Sequence, residues 1–524
     1  VTITVSGVSR SAAFTGALGS LLDAEFPTRL FAKDATLWGE AAEPEAAVRL
    51  GWTDFAETAE SVISEAEVLA AEFGAAGVDR FVLCGMGGSS LAPLVIAPSL
   101  TVLDSTHPAT VRAALEGDLS RTAVVVSSKS GGTVETLSHL AAFEAAFIGA
   151  GIDPADRIVV VTDPASALAV SATESGKRVF LADPNVGGRF SALTAFGIVP
   201  SVLAGADMRG ILAQAVAART ALTACVAGNP ALILAAAISV GLPERFLLEL
   251  RPDGSLPADL GLWIEQLVAE STGKDGRGVL PIALPLGDHQ RETPASLSVS
   301  FGRDSTLHDA AAVQDTGAGP TAEPALQTAH AGLAVIADLG AQLLLWQVVT
   351  AALGFLLRVD PFNQPDVEAA KAATRESLGA PSAQPELSPA EVCERLRATV
   401  SNGGYVAIQA YVDSTDAALG AALEELRAAL NADLGAPVSV GYGPRYLHST
   451  GQFHKGGPSK AVFLQLVGAT DRDVAIPGAE QSFGELMAAQ AAGDARVLDG
   501  RGRPVVTVVT DAPLDFVRAL LARY

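Results

Sequence analysis

The sequence holds 524 residues, 49% of them hydrophobic and 18% charged, with a net charge of −23. That composition excludes a disordered or fibrous chain and allows about three to four domains, at roughly 150 residues each, with sizeable cores. The acidity argues against a general polyanion-binding role: nucleic acid and anionic membrane surfaces are repelled, so any phosphate must be met by a locally built site.

The chain opens on Val-Thr-Ile-Thr-Val-Ser-Gly, which has no charged stretch followed by an apolar core and therefore no signal-peptide pattern. The first residue is not Met, which suggests a trimmed product or a piece of a longer polypeptide. Cys84, Cys225 and Cys393 are far apart and show no Cys-x-x-Cys spacing, which argues for a reducing compartment, and the chain reads as cytoplasmic. Residues 1–75 are expected to be helical, since Leu50 to Phe73 carries apolar positions at three- and four-residue spacing.

From Arg80 the pattern changes to short β-branched runs, Phe81-Val-Leu-Cys, Ala123-Val-Val-Val, Arg157-Ile-Val-Val-Val and Arg178-Val-Phe-Leu, each followed by turn residues and a helical stretch. This is the pattern of βαβ units around a buried parallel sheet, and it predicts a doubly wound α/β domain over 76–205. A second α/β domain, 206–378, has strand candidates at Arg245 to Leu250, Val279 to Ala283 and Ser296 to Phe301. Its longest apolar run, Leu343 to Leu357, is interrupted by Gln347 and Thr350 and falls short of the roughly 20 residues that span a bilayer, so it is read as a buried core helix. Gln314 to Pro324 reads as a surface loop, and residues 379–400, which include Ala380-Pro-Ser-Ala-Gln-Pro, as a linker. In the α+β C-terminal unit, 401–524, strand and helix patterns follow the order β-α-β-β-α-β, which predicts a ferredoxin-like layer.

Two turns carry the chemistry. Cys84-Gly-Met-Gly-Gly-Ser-Ser ends the first strand of the α/β domain, and its glycines let backbone N–H groups approach an anion. Alone it could be an ordinary tight turn, and it lacks the dinucleotide-binding spacing. The second turn, Val126-Ser-Ser-Lys-Ser-Gly-Gly-Thr-Val-Glu-Thr, offers hydroxyls from Ser128, Ser130 and Thr133 and a cation from Lys129. Neighbouring strands of a parallel sheet bring both turns to one carboxyl edge, a cradle suited to a monoester phosphate.

These two turns, followed by Val186-Gly-Gly-Arg-Phe-Ser-Ala, Ala269-Glu-Ser-Thr-Gly-Lys and Asp360-Pro-Phe-Asn-Gln-Pro-Asp-Val-Glu-Ala-Ala-Lys, resemble in composition and order the motifs of the glucose-6-phosphate isomerase family. The resemblance covers more than half the chain. It implies two sugar-isomerase-type domains and interconversion of glucose 6-phosphate and fructose 6-phosphate through a cis-enediolate, in glycolysis and gluconeogenesis. It implies no cofactor and no metal, a small-molecule sugar phosphate as partner, and a homodimer with residues crossing between protomers.

By the same resemblance Glu270 is the base, Arg189 stabilises the enediolate and Lys371 helps open the sugar ring. Gly87, Gly88, Ser89, Ser128, Lys129, Ser130 and Thr133 hold the phosphate, and Gln364 contacts substrate. The residue types suit the roles, since one carboxylate can move a proton between adjacent carbons and a guanidinium can meet charge that develops in a dry site. The bland alternative for Glu270 is a helical ion pair with Lys274, four residues on.

One departure concerns the histidine that the family carries on a Gly-Gln-His element between its Glu and Gln/Lys blocks. Here His289, His308 and His330 lie in that interval without such an element, whereas Arg445-Tyr-Leu-His-Ser-Thr-Gly-Gln-Phe-His-Lys-Gly-Gly-Pro resembles it after Lys371. His454 is therefore the first candidate for ring opening and His448 the second, with loop histidines as the bland alternative and a metal site disfavoured. This order resembles bacterial members fused to a transaldolase, which implies such a fusion partner. Two rival functions stand beside the first: a broader phosphoglucose/phosphomannose isomerase, and a non-catalytic phosphosugar-binding regulator.

Overall fold

Three sheets organise the computed structural model, which describes residues 2–303, 332–377, 387–401, 403–469 and 472–524, the side chains of 367–371 and 377 excepted. The expected Gln314–Pro324 loop and Ala380–Pro385 segment, and His308 and His330, lie outside the described residues.

The first sheet contains β2 (Arg80–Gly85), β3 (Thr101–Leu103), β4 (Thr122–Ser127), β5 (Ile158–Thr162) and β6 (Arg178–Leu181), in the order β3-β2-β4-β5-β6 and parallel throughout. Val124, Val125 and Val126 are fully buried because helices cover both faces, which is why the run is continuous rather than alternating. The chain leaves β2 toward β3 and returns on the other side to β4, so the two strands flank the point where the winding reverses. Crevices at the carboxyl ends of such strands are where open α/β sheets bind ligands.

The second sheet repeats this scheme with β7 (Leu247–Pro252), β8 (Leu280–Ala283), β9 (Ser296–Gly302) and β10 (Leu333–Ile336), all parallel, in the order β10-β9-β7-β8. Its other edge corrects the expectation of an all-helical N-terminus: β1 (Thr4–Ser6) pairs antiparallel with β10 and closes that edge. The rest of the entry segment is mainly helical, with Phe55–Ala75 as its longest helix. Helix Leu339–Leu357 is long and apolar enough to cross a membrane, yet it is packed inside the protein. Its Ala351 carbonyl accepts a hydrogen bond from the Trp38 indole at 3.0 Å, which ties the entry segment to the second sheet's helices.

The C-terminal sheet, β11 (Tyr405–Tyr411), β12 (Val438–Tyr442), β13 (Ala461–Gly468) and β14 (Val505–Thr510), runs β12-β11-β13-β14 with every pair parallel. The ferredoxin-like expectation is corrected here, since that layer needs antiparallel pairs. The connection from β12 to β13 is a crossover containing the Arg445–His448 turn and the Gly451–Gly456 helix, so β13 starts again from the same end of the sheet. The linker expectation is also trimmed. Pro389–Thr399 is a helix, capped by Ser388 and Glu391, whose Val392, Cys393 and Leu396 belong to the C-terminal core.

Candidate active site

A cavity of about 590 Å³ opens where the first sheet, the second sheet's first crossover helix and the C-terminal unit meet. Its volume lies in the ordinary range for small-molecule sites. The turn after β2 lays Gly87, Gly88 and Ser89 along one wall. Neither glycine tolerates a side chain: a Cβ at Gly88 would collide with the Gly188 carbonyl, and one at Gly87, whose φ is +54°, would stand 2.5 Å from the His448 carbonyl oxygen.

The turn after β4 adds Lys129, Ser130 and Thr133. Ser128 lies beneath them, buried, with its hydroxyl 3.0 Å from that of Thr133. Lys129 Nζ is 2.5 Å from Asp163 Oδ2, from the loop after β5. Burial pushes the Asp163 carboxyl up, opposed by its hydrogen bond to Lys129. Arg49 and Glu45 reach the rim from the entry segment, held to each other at 2.8 Å.

Helix Leu260–Thr272 presents Gln266 and Glu270 to the same cavity, on one face and four residues apart. Glu270 Oε1 is 3.2 Å from Arg189 Nη1, and Oε2 accepts from the Gln266 amide at 3.1 Å. Arg189 is itself locked by donating to Ser271 Oγ at 2.7 Å and to the carbonyls of Pro361 and Asn363 at 2.7 and 3.1 Å. A guanidinium saturated in this way is a fixed charge, poised to meet an oxyanion without reorganising. Gln364, on the cavity wall, accepts from Arg189 Nη1 at 3.4 Å.

His448 enters from the C-terminal unit. Its Nε2 donates to Glu135 Oε1 at 3.0 Å, and the Gln266 amide donates to its carbonyl at 2.8 Å. Burial pushes the Glu135 carboxyl up, but the attraction of His448 and the hydrogen bond from it outweigh burial and hold it below its ordinary value.

With respect to known proteins, no family model matches the chain. It is 34% identical over 242 residues to a probable glucose-6-phosphate isomerase of Haloarcula marismortui, covering 44% of this chain and 55% of that one. It is 30% identical over 385 residues to a glucose-6-phosphate isomerase of Thermus thermophilus, covering 63% of this chain and 90% of the relative. The chain belongs to the glucose-6-phosphate isomerase family. The chain spans about half the length of two of these relatives, 55% of the Haloarcula marismortui protein and 48% of a probable glucose-6-phosphate isomerase of Natronomonas pharaonis. Among solved structures, a hypothetical protein of Thermus thermophilus superposes with a TM-score of 0.59 at 26% identity, covering 72% of this chain and 100% of that one. The glucose-6-phosphate isomerase of Chlamydia trachomatis shares the fold, with a TM-score of 0.58 at 20% identity, covering 76% of this chain and 92% of that one.

Of the residues singled out from the resemblance to the glucose-6-phosphate isomerase family, Gly87, Gly88, Ser89, Lys129, Ser130, Thr133, Arg189, Glu270, Gln364 and His448 line one cavity. The helical ion pair weighed for Glu270 is absent: Lys274 Nζ donates instead to the Ser271 carbonyl at 3.0 Å and to that of Asp360. Lys371 lies on helix Pro365–Ser377, with its side chain outside the described residues.

Of the two histidines, His448 lines the cavity. His454 does not line the cavity; its Nδ1 is 2.9 Å from the Tyr405 hydroxyl, and its ring is packed against Tyr405, Tyr446 and Phe463. Burial first, then Lys455 and Arg503, push it well below its ordinary value, so it stays neutral. Sequence reasoning missed Glu135, Asp163 and Gln266 as site residues. Glu135 stood inside the quoted Val126–Thr136 motif without being assigned a role, and Gln266 stands one helical turn before Glu270.

Proposed function

We propose that this chain interconverts glucose 6-phosphate and fructose 6-phosphate. The observation that carries the reading is the cavity lined together by the Ser/Lys/Thr turn, the Glu270–Arg189 pair and His448, whose Nε2 donates to Glu135. In this reading the phosphate monoester occupies the turn, contacted by Ser89, Lys129, Ser130 and Thr133. Glu270 removes the proton from C2 of the open aldose and returns it to C1, while Arg189 balances the charge on the enediolate oxygens. His448 exchanges a proton with the ring oxygen and the adjacent hydroxyl, steered by Glu135. Lys371 and Gln364 keep the roles implied by the resemblance, at ring opening and at the sugar.

The three sheets support dividing the chain into an entry segment to residue 75, two sugar-isomerase-type domains to 205 and 378, and a C-terminal unit from 401. The resemblance to the glucose-6-phosphate isomerase family supports a homodimer with residues crossing between protomers. Fusion to a transaldolase is supported by the position of the histidine element after Lys371.

The test is a coupled assay on glucose 6-phosphate with the wild type and Glu270→Gln. Turnover by the wild type should fall by about a thousandfold or more in the variant, while substrate still binds. An undiminished kcat would remove Glu270 from proton transfer.

A further inference from the structure

The carboxylate behind His448 has a second partner that the reading above does not use. Glu135 is the second residue of helix Val134–Gly149 and is buried. Its Oε1 accepts both His448 Nε2, at 3.0 Å, and the side-chain amide of Gln490, at 2.7 Å. Gln490 lies on helix Phe483–Gly500 of the C-terminal unit and is only 2% exposed. Its carbonyl in turn accepts the hydroxyl of Thr106 at 2.8 Å, from the loop after β3, where Thr106 is fully buried. An amide offers a donor face and an acceptor face, and with the carbonyl held by Thr106 the NH2 group must point at Glu135. The opposite orientation would set two oxygens against each other in a dry interior.

We propose that Gln490 is a positioning residue for His448. It pins the Glu135 carboxylate, so that the imidazole keeps its proton on Nε2 and presents the Nδ1 lone pair for proton exchange with the sugar. The inference rests on the isomerase reading for its catalytic consequence, whereas its structural half, the tautomer of His448, is independent of turnover. A bonded carboxylate that cannot rotate selects one imidazole tautomer; one that has lost a donor does not.

The test uses the full chain labelled with 15N-histidine, with the His448 signals assigned through His448→Asn and recorded at alkaline pH. The wild type should show the Nε2–H tautomer alone. Gln490→Leu should show a mixture of tautomers and lose about tenfold in kcat on glucose 6-phosphate, with KM within about twofold. Thr106→Val, which keeps the volume and removes the hydroxyl, should move both readouts the same way, and Thr106→Ser should restore them; this pair decides the matter if Gln490→Leu does not fold. A single Nε2–H tautomer in the variants, or a mixed tautomer with unchanged kcat, overturns the proposal. If the wild type shows the single tautomer and the variants the mixture, but the wild type turns over no glucose 6-phosphate, the isomerase reading falls and the positioning of His448 stands.

Discussion

In the proposed reading, Lys129 is the cation that a strongly acidic protein keeps for a phosphate. Its ammonium is held 2.5 Å from Asp163, about one-fifth exposed, so the charge is stored in a neutral pair until a dianion competes for it. On that reading Asp163 would oppose the ligand twice, by occupying Lys129 and by repelling the phosphate. Asp163→Asn should lower KM for glucose 6-phosphate by about two- to fivefold, the size expected for one partly screened ion pair. Inhibition by inorganic phosphate should tighten to match, and an unchanged or higher KM would show that Asp163 only orients the lysine. At this scale the glycine and hydroxyl turns were legible because their chemistry is local to a few consecutive residues. The choice between His448 and His454 was not: the two lie six residues apart in one motif, and what separates them is burial against Tyr405 and Phe463, supplied by distant strands.

Helix Leu260–Thr272 carries two buried carboxyls with different surroundings. Glu270 faces the cavity and is met by Arg189, whereas Glu265, one turn and a half earlier, accepts only from the Ala283 N–H at 3.3 Å. Burial pushes the Glu265 carboxyl up from 4.5 to about 8, so it is neutral in the fold at pH 7 and ionised in the unfolded chain. Its contribution to stability is intact below about pH 4.5 and is lost as pH rises through about 8. Glu265→Gln removes that term, so denaturant midpoints of the variant should gain on the wild type across this window. Parallel midpoint curves would mean that Glu265 is ionised inside the fold.

The β-branched runs announced β2, β4, β5 and β6 because strands buried on both faces leave no polar alternation to obscure them. Strands β3 and β10, of three and four residues, were too short to stand out from their loops. The order of elements in the C-terminal unit was legible and their direction was not, since direction depends on whether the β12–β13 connection turns back or crosses over.

For the molecule as a whole, the cavity is a joint. Its Gly/Ser turns, Glu270 and His448 come from three sheets' worth of chain, and the C-terminal sheet has a hydrophobic core of its own. Bidentate hydrogen bonds from Arg445 to Asp104, at 2.7 and 2.9 Å, fasten the His448 turn to the loop after β3. If the residues that one chain brings to this cavity suffice for turnover, specific activity should stay constant when the protein is diluted from micromolar to nanomolar. Activity that declines with dilution, in step with dissociation seen by light scattering, would place an essential group across a subunit boundary. The two-sheet framework around the phosphate turns could be read from local pattern, but the docking of the third sheet could not, because it rests on pairings such as Arg445–Asp104 that are separated by more than half the sequence.

The late position of His448 also sets an order of events during synthesis. A growing chain exposes both phosphate turns and Glu270 about 180 residues before it exposes His448, an interval of roughly 10 to 35 seconds at ordinary translation rates. Gln490 and β14 emerge later still. In the proposed reading, the turns assigned to the phosphate therefore leave the ribosome well before the histidine assigned to ring opening.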